Sequence, residues 1–463
     1  MKKYLPKLIS FLLICLMIFP KVVFADYVKY SLNRNSPQLI PSQTSENLQR
    51  EALVKSSGMM EFNKDTSAIY SINKGAYKVE ITPFSFNGAN LEYSKNTVTG
   101  TLDIKKNVLS YIWGTPNEDF LFGEITSLDI SETLGTIAMT IKSEENGKDG
   151  LAIFTDYKGK IIKVVRTGVQ PGNITFSPNS KAVLISNSGK GISDSIENDP
   201  YGSITVVSIN GNVDKIKDTD IIEIGFKQFD SKKTELVNSG IILEGNKLPS
   251  QDLEPGDIAV EENSRFAYIS FTKNNAIAKL DLRKMGIEKL SSIKTKNKSG
   301  NSDSFALPEE IKTLNHNGEV YLLTANKDSS MTILKDGKNG LEEIFDSAAT
   351  LNKVLKGIYP NGLLSSILSR NSEKSSFDNY IEIGNLRSRT YAFMALGTLG
   401  GIAVFDITDP QAAILESFIG MDNRTPIAKP LFINSQFELK NQPILLLPGI
   451  DGQESEVYEL KFN

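Results

Sequence analysis

Oxygen ligands are the chemistry most concentrated in this 463-residue chain. The stretch Gln251-Asp252-Leu253-Glu254-Pro255-Gly256-Asp257 sets three carboxylates close together, and Asp194, Glu197 and Asp199 form a second group. Asp328 adds a further acid just after Asn326. Carboxylate-rich loops suit a hard cation, and Ca²⁺ is the cofactor such a pattern would take. The candidate ligands are therefore Asp199, Asp252, Glu254, Asp257 and Asp328, set against the commoner use of surface acids as solvated loop residues.

Other chemistries are poorly served. His316 is the only histidine, and it sits in the turn Asn315-His316-Asn317-Gly318, where a structural role is expected. Cys15 is the only cysteine. Ser-His-Asp, Cys-His and zinc constellations of the usual kinds are thus out of reach, and no catalytic residue is assigned. Gly397, Gly400 and Gly401 follow a strand but lead into another strand, which is wrong for a phosphate-binding loop.

The N-terminus reads as an export leader. Lys2, Lys3 and Lys7 precede an apolar run from Leu8 to Phe19, and Val23-Phe24-Ala25 offers a cleavage site before Asp26. Cleavage after Ala25 would make the protein secreted or periplasmic and remove Cys15. It would leave 47 bases against 55 acids, a net charge of −8. An acidic exported chain is a poor nucleic-acid binder. No later segment has membrane-spanning length. The expected partner is a protein or a cell-surface ligand, bound by a monomer.

The elements that must position the acids are strands. In Gly172 to Asn210, strand Ile174–Phe176 leads through the turn Pro178-Asn179-Ser180-Lys181 into Ala182–Ser186. A third strand follows from Ser203 to Ile209. The same strand–turn–strand–hairpin–strand unit recurs from Gly58, Ile125, Asp257, Glu310, Tyr380 and Lys429–Pro430 onward. Repeats without alternating helices predict an all-β, seven-bladed β-propeller over 58–463, after a polar lead-in at 26–57 that packs loosely or closes the structure. Two insertions interrupt it. Lys289 to Phe305 reads as a mobile polar loop with basic residues Lys294, Lys296 and Lys298. Residues 341–371 read as a helical insertion, capped by Thr350 with Leu351, Val354, Leu355 and Ile358 on its apolar face against the propeller rim.

Several stretches, taken in order, resemble the choice-of-anchor I family of secreted propellers, which is similar to YncE-like and LVIVD-type seven-bladed propellers. They are SGMMEFNKDTSAIYSIN, GNITFSPNSKAVLISN with DPYGSITVVSI, QDLEPGDIAV, ENSRFAYISF with NNAIAKLDL, GEVYLLTAN and RTYAFMALGTLGGIAVFDITDP. The resemblance implies a polar, acidic mouth of the central channel, to which Asn187, Asn274, Asn275 and Asn326 would contribute. It also implies, through relatives labelled alkaline phosphatases, a Ca²⁺-dependent phosphoesterase or phytase-like hydrolase.

This chain departs from that pattern where acids would stand. Ser188-Gly189-Lys190-Gly191 follows Asn187, and Gly256 follows the Glu-Pro pair. Lys273 precedes the paired asparagines, Lys327-Asp328 follows Asn326, and Pro448-Gly449 lies near the C-terminus. Ser372 to Asp378 is a reduced form of an acid-and-glycine stretch. The reading is a binding or scaffolding propeller with a degenerate acidic site, with the hydrolase as the alternative.

Overall fold

The computed structural model describes residues 28–31, 38–41, 59–73, 77–83, 85–87, 90–92, 100–190, 199–293, 305–358, 378–386, 388–397, 399–420, 428–434, 443–447 and 456–461. The leader, Asp194, Glu197, the 294–304 loop, most of 372–378 and Pro448-Gly449 lie outside them.

Two short strands come first, β1 (Val28–Ser31) and β2 (Gln38–Pro41). The first sheet holds β3 (Met60–Asn63), β4 (Ala68–Asn73) and β5 (Lys78–Pro83). A ribbon of β6 (Ser85–Asn87) and β7 (Asn90–Glu92) intervenes before β8 (Gly100–Asp103) completes that sheet. Helix α1 (Ile104–Ile112) then starts where the Asp103 side chain accepts the Lys106 N–H, and it buries Ile104, Val108 and Ile112. The second sheet is β9 (Phe122–Ser131), β10 (Thr136–Ser143), β11 (Asp149–Thr155) and β12 (Ile161–Val169). The third is β13 (Pro171–Phe176), β14 (Ala182–Asn187), β15 (Ser203–Ser208) and β16 (Ile221–Gly225).

Short helices α2 (Lys233–Asn238) and α3 (Pro249–Asp252) lead to the fourth sheet. It comprises β17 (Ile258–Val260), β18 (Phe266–Phe271), β19 (Ala276–Asp281) and β20 (Gly286–Ser292). The fifth has β21 (Pro308–His316), β22 (Glu319–Asn326), β23 (Met331–Gly337) and β24 (Gly340–Asp346), followed by helix α4 (Ala348–Ile358). β25 (Tyr380–Leu386), β26 (Arg389–Leu396), β27 (Gly401–Asp406) and β28 (Ile414–Gly420) form the next sheet, and β1 adds to its β28 edge. The last contains β29 (Leu431–Ile433), β30 (Ile444–Leu447) and β31 (Glu456–Lys461). β2 pairs with β31, Leu39 opposite Leu460, so hydrogen bonds between the two ends of the chain fasten the structure.

Every pairing among the described strands is antiparallel, and apart from β1 on β28, β2 on β31 and β8 on β5 each joins consecutive strands, the mark of a meander. The first strands lie side by side in the order β3, β9, β13, β17, β21, β25, β29, and β29 returns to β3. A closed ring of radial sheets about an axis is a β-propeller, with few helices.

Three expectations are corrected. The units have a fourth, outer strand (β8, β16, β20, β24 and β28), because that strand follows a loop or turn too irregular to read as part of the repeat. The seven-bladed expectation is corrected to six four-stranded sheets among the described residues, together with the two-stranded ribbon and one sheet of five strands that takes in β1. The insertions are also shorter than expected. Lys289–Ser292 belongs to β20, and 341–346 belongs to β24. Thr350 lies inside α4, whose first turn is instead fixed by Asp346 accepting from Ala348 N–H at 2.8 Å. Leu351, Val354 and Leu355 are buried against the sheets, as their spacing predicts.

The core lies between sheets. Leu184, Ile204 and Val206 of the third sheet pack against Ile258, Ile269 and Ala278 of the fourth, with Phe226 and Phe271 edge-to-face at 5.2 Å. Burying a side chain such as Phe271 contributes about 2–3 kcal/mol, and no sheet could achieve this alone.

Candidate functional site

Alternation along the first strands sends one set of side chains into the inter-sheet core and leaves the other on the axis. On the axis this places charges in otherwise apolar strands. They are Glu61 on β3, Asp129 on β9, Glu310 and Lys312 on β21, and Glu382 on β25, with Asp257 just before β17 and Lys429 just before β29. A cavity of about 320 Å³ lies among Glu61, Asp129, Asn173, Asp257, Lys312 and Lys429.

Most axial acids are committed to joining sheets. Asp129 accepts the Phe176 N–H of the next sheet at 2.6 Å and its neighbour Ile130 N–H at 2.7 Å. Asp257 accepts the Ile311 N–H of the next sheet at 2.9 Å and Asn173 Nδ2 of the previous one at 2.8 Å. Glu310 accepts Ile381 N–H at 2.6 Å, again from the following sheet. Lys429 Nζ lies 3.1 Å from Glu310, while Lys312 Nζ lies 3.2 Å from Glu382 and 3.9 Å from Glu310.

Burial pushes the Glu61 carboxyl up to about 7, against the pull of Lys429. Burial and the nearby Glu310 charge push Asp257 to about 6, and burial also raises Asp129. Burial works against the charge of Lys429, but Glu310, Glu61, Asp257 and Glu382 outweigh it and hold the ammonium well above its ordinary range. Lys312 is raised by the same balance, with Glu382 the chief carboxylate.

The acids singled out from the sequence fall into different places. Asp199, Asp252 and Glu254 belong to one charge network. Lys273 Nζ sits 2.8 Å from Glu244, 3.0 Å from Asp252 and 2.8 Å from Glu254. Lys247 Nζ lies 2.9 Å from Asp199 and 3.5 Å from Glu244. Buried Asp252 also accepts the Glu244 N–H at 2.7 Å. Lys273 therefore stands among these oxygens as their cation. Asp257 is elsewhere, on the axis, and Asp328 caps a turn by accepting the Ser330 N–H at 3.0 Å and its hydroxyl at 2.6 Å. Among the described residues no three His, Cys, Asp or Glu side chains are grouped to hold a metal ion.

The four asparagines are buried latches at strand ends. Asn187 Nδ2 donates to Ser203 Oγ at 3.1 Å and Thr205 Oγ1 at 2.9 Å. Asn326 Nδ2 makes the equivalent bonds in the fifth sheet, to Ser330 Oγ at 3.0 Å and Thr332 Oγ1 at 2.8 Å. Asn274 Nδ2 donates to the Ile242 and Asp252 carbonyls, both at 3.0 Å, which anchors the loop that carries the acids. Asn275, at φ +52°, turns the β18–β19 connection and donates to the Ile293 carbonyl at 2.9 Å. His316 ends β21 beside the turn at Asn317-Gly318, its ring 2.8 Å from Asn317 Nδ2.

The residues missed from the sequence are Glu61, Asp129, Glu310, Lys312, Glu382 and Lys429. The available signal was a charge inside the first strand of successive repeats, as in MEFN, LDIS, EIKT and IEIG.

Fold and axial site together define an all-β propeller whose charged axis ties its sheets into a ring. The choice-of-anchor I domain model matches residues 58–363, well over half of the chain, and the chain belongs to that family. Among solved structures it is similar to the β-propeller domain of Cps50 (Swd1) from Myceliophteria thermophila. The two are 10% identical with a TM-score of 0.49, over 92% of this chain and 100% of that one. It is also similar to a functionally unknown protein from Desulfotomaculum acetoxidans, 11% identical with a TM-score of 0.43 over 76% and 82% of the chains. Kuenenia stuttgartiensis hydrazine synthase is similar at 10% identity and a TM-score of 0.42, over 77% and 79%. The comparison with curated proteins gives no match. Among the described residues no helix is long and apolar enough to cross a membrane.

Proposed function

We propose that this chain is a non-enzymatic binding or scaffolding propeller that acts outside the cytoplasm, at or beyond the cell surface. The observation that carries the reading is how its carboxylates are used. Asp129, Asp257 and Glu310 each accept a backbone N–H from the following sheet, and Asp252 and Glu254 share the ammonium of Lys273. Acids employed this way hold a rigid ring together and present few free oxygens to a catalytic cation. The N-terminal leader pattern Lys2 to Ala25 supports export, and the partner would be a protein or a cell-surface ligand.

Affinity capture from the exported fraction, with the mature chain as bait, tests this directly. The expected result is enrichment of a specific surface component, with no Ca²⁺ binding heat and no phosphoester turnover in parallel assays. Tight Ca²⁺ binding together with Ca²⁺-dependent hydrolysis would overturn the reading in favour of a phytase-like enzyme.

A further inference from the structure

Glu61 breaks the pattern of its neighbours on the axis. Asp129, Asp257 and Glu310 each receive a backbone N–H, and Lys312 and Lys429 each have a carboxylate within ion-pair distance in Glu382 or Glu310. The Glu61 carboxylate has no such hydrogen bond or ion pair among the described residues, although it lines the same cavity as Asp129 and Asp257. Asn173 contributes a second open acceptor. Its Nδ2 is spent on Asp257, which fixes the amide orientation, and its buried Oδ1 accepts nothing. A buried acceptor left without a donor costs about 1–3 kcal/mol, so the Asn173 oxygen favours a ligand that brings donors. The partly exposed Glu61 carboxylate beside it, facing the charge of Lys429 from beyond ion-pair distance, offers that ligand a second acceptor.

We propose that the axial cavity binds a small primary ammonium compound, its –NH₃⁺ group donating to Glu61, to the Asn173 side-chain oxygen and to the Asp129–Asp257 side of the cavity. The charge balance supports a cation. Where ionised, the carboxylates of Glu61, Asp129, Asp257, Glu310 and Glu382 outnumber the ammoniums of Lys312 and Lys429, the two lysines are already engaged, and an entering cation would draw the raised carboxyls into their charged form. The chemistry favours an ammonium over a metal ion. Asp129 and Asp257 already accept N–H donors, no metal-holding group of acids exists among the described residues, and –NH₃⁺ offers three donors to separated acceptors. The volume of about 320 Å³ exceeds the roughly 30 Å³ of one water. It leaves room for a short alkyl body beside Met59 in an otherwise mostly polar lining.

Calorimetry on the whole chain tests this with n-butylammonium chloride and, at equal ionic strength, tetramethylammonium chloride, which has the charge but no N–H. Butylammonium should bind at least about tenfold more tightly, the value of a charged hydrogen bond. Glu61→Gln and Asn173→Leu should each weaken butylammonium by a similar factor. Equal response to the two cations, no heat from either, or unchanged affinity in both variants would overturn the proposal. The comparison of cations on the unaltered chain stays decisive if a variant misfolds. A failed titration leaves the capture experiment above untouched, so the two readings fail separately.

Discussion

Lys429 Nζ lies 3.1 Å from the Glu310 carboxylate, joining the entry to the last sheet to the first strand of the fifth across the axis. Glu310 is buried, at 5% exposure, and Lys429 is largely covered, at 15%, so the Glu310 charge cannot turn to water when Lys429 is removed. Lys429→Met should therefore destabilise the chain by about 3 kcal/mol, since it leaves buried Glu310 only the more distant Lys312 ammonium at 3.9 Å as counter-charge. Urea unfolding measures this. A midpoint shift within error would show that the axial network is dispensable.

Stability should fall as pH rises from about 5 to 7.5. Burial raises Glu61 from 4.5 to about 7, Glu309 from 4.5 to about 7 and Asp257 from 3.8 to about 6. In each case the folded state holds its proton more tightly than the unfolded chain. Between the two pKa values the unfolded chain binds fewer protons, so unfolding becomes easier as pH increases. Thermal melts at fixed ionic strength should show Tm declining across this window, with a shallower decline in Glu61→Gln. A Tm that climbs through the window would contradict the account.

Lys273 gathers Glu244, Asp252 and Glu254, and these carboxylates outweigh burial to raise its pKa above the ordinary lysine range. Lys273→Gln leaves buried Asp252 without its counter-charge. The ammonium is about one-third exposed, so screening reduces the expected loss to about 1–2 kcal/mol. Denaturant titration at low and high salt would check it, the loss being smaller at high salt.

The strand-end asparagines should behave as latches. Asn326→Ala removes donors to Ser330 and Thr332 and should cost about 1–2 kcal/mol. Asn187→Ala should cost a similar amount through Ser203 and Thr205. The sites are in different sheets, so the losses should add in the double variant. Marked non-additivity in chemical unfolding would mean that the two turns are coupled.

Much of the fold was legible locally. Alternating apolar strands bounded by turns such as Pro178 to Lys181 mark the repeats, because period-two burial and turn chemistry are properties of neighbouring residues. The i, i+3, i+4 spacing of Leu351, Val354 and Leu355 placed α4 for the same reason. α1 was not legible: its apolar residues Ile104, Val108 and Ile112 are few, and its start depends on one Asp103 cap.

The site was legible only in part. Asp252 and Glu254 were found as acids, and Lys273 as a departure, but not that one ammonium lies within 3.0 Å of both carboxylates. Glu61, Asp129, Asp257, Glu310, Lys312, Glu382 and Lys429 span nearly the whole chain, and only ring closure brings them to one axis. Sequence by itself determined the repeating strands, since each depends on a few adjacent residues. Tertiary structure alone decided which charges meet, because charges far apart in the chain interact strongly only once the closed ring buries them together and excludes water.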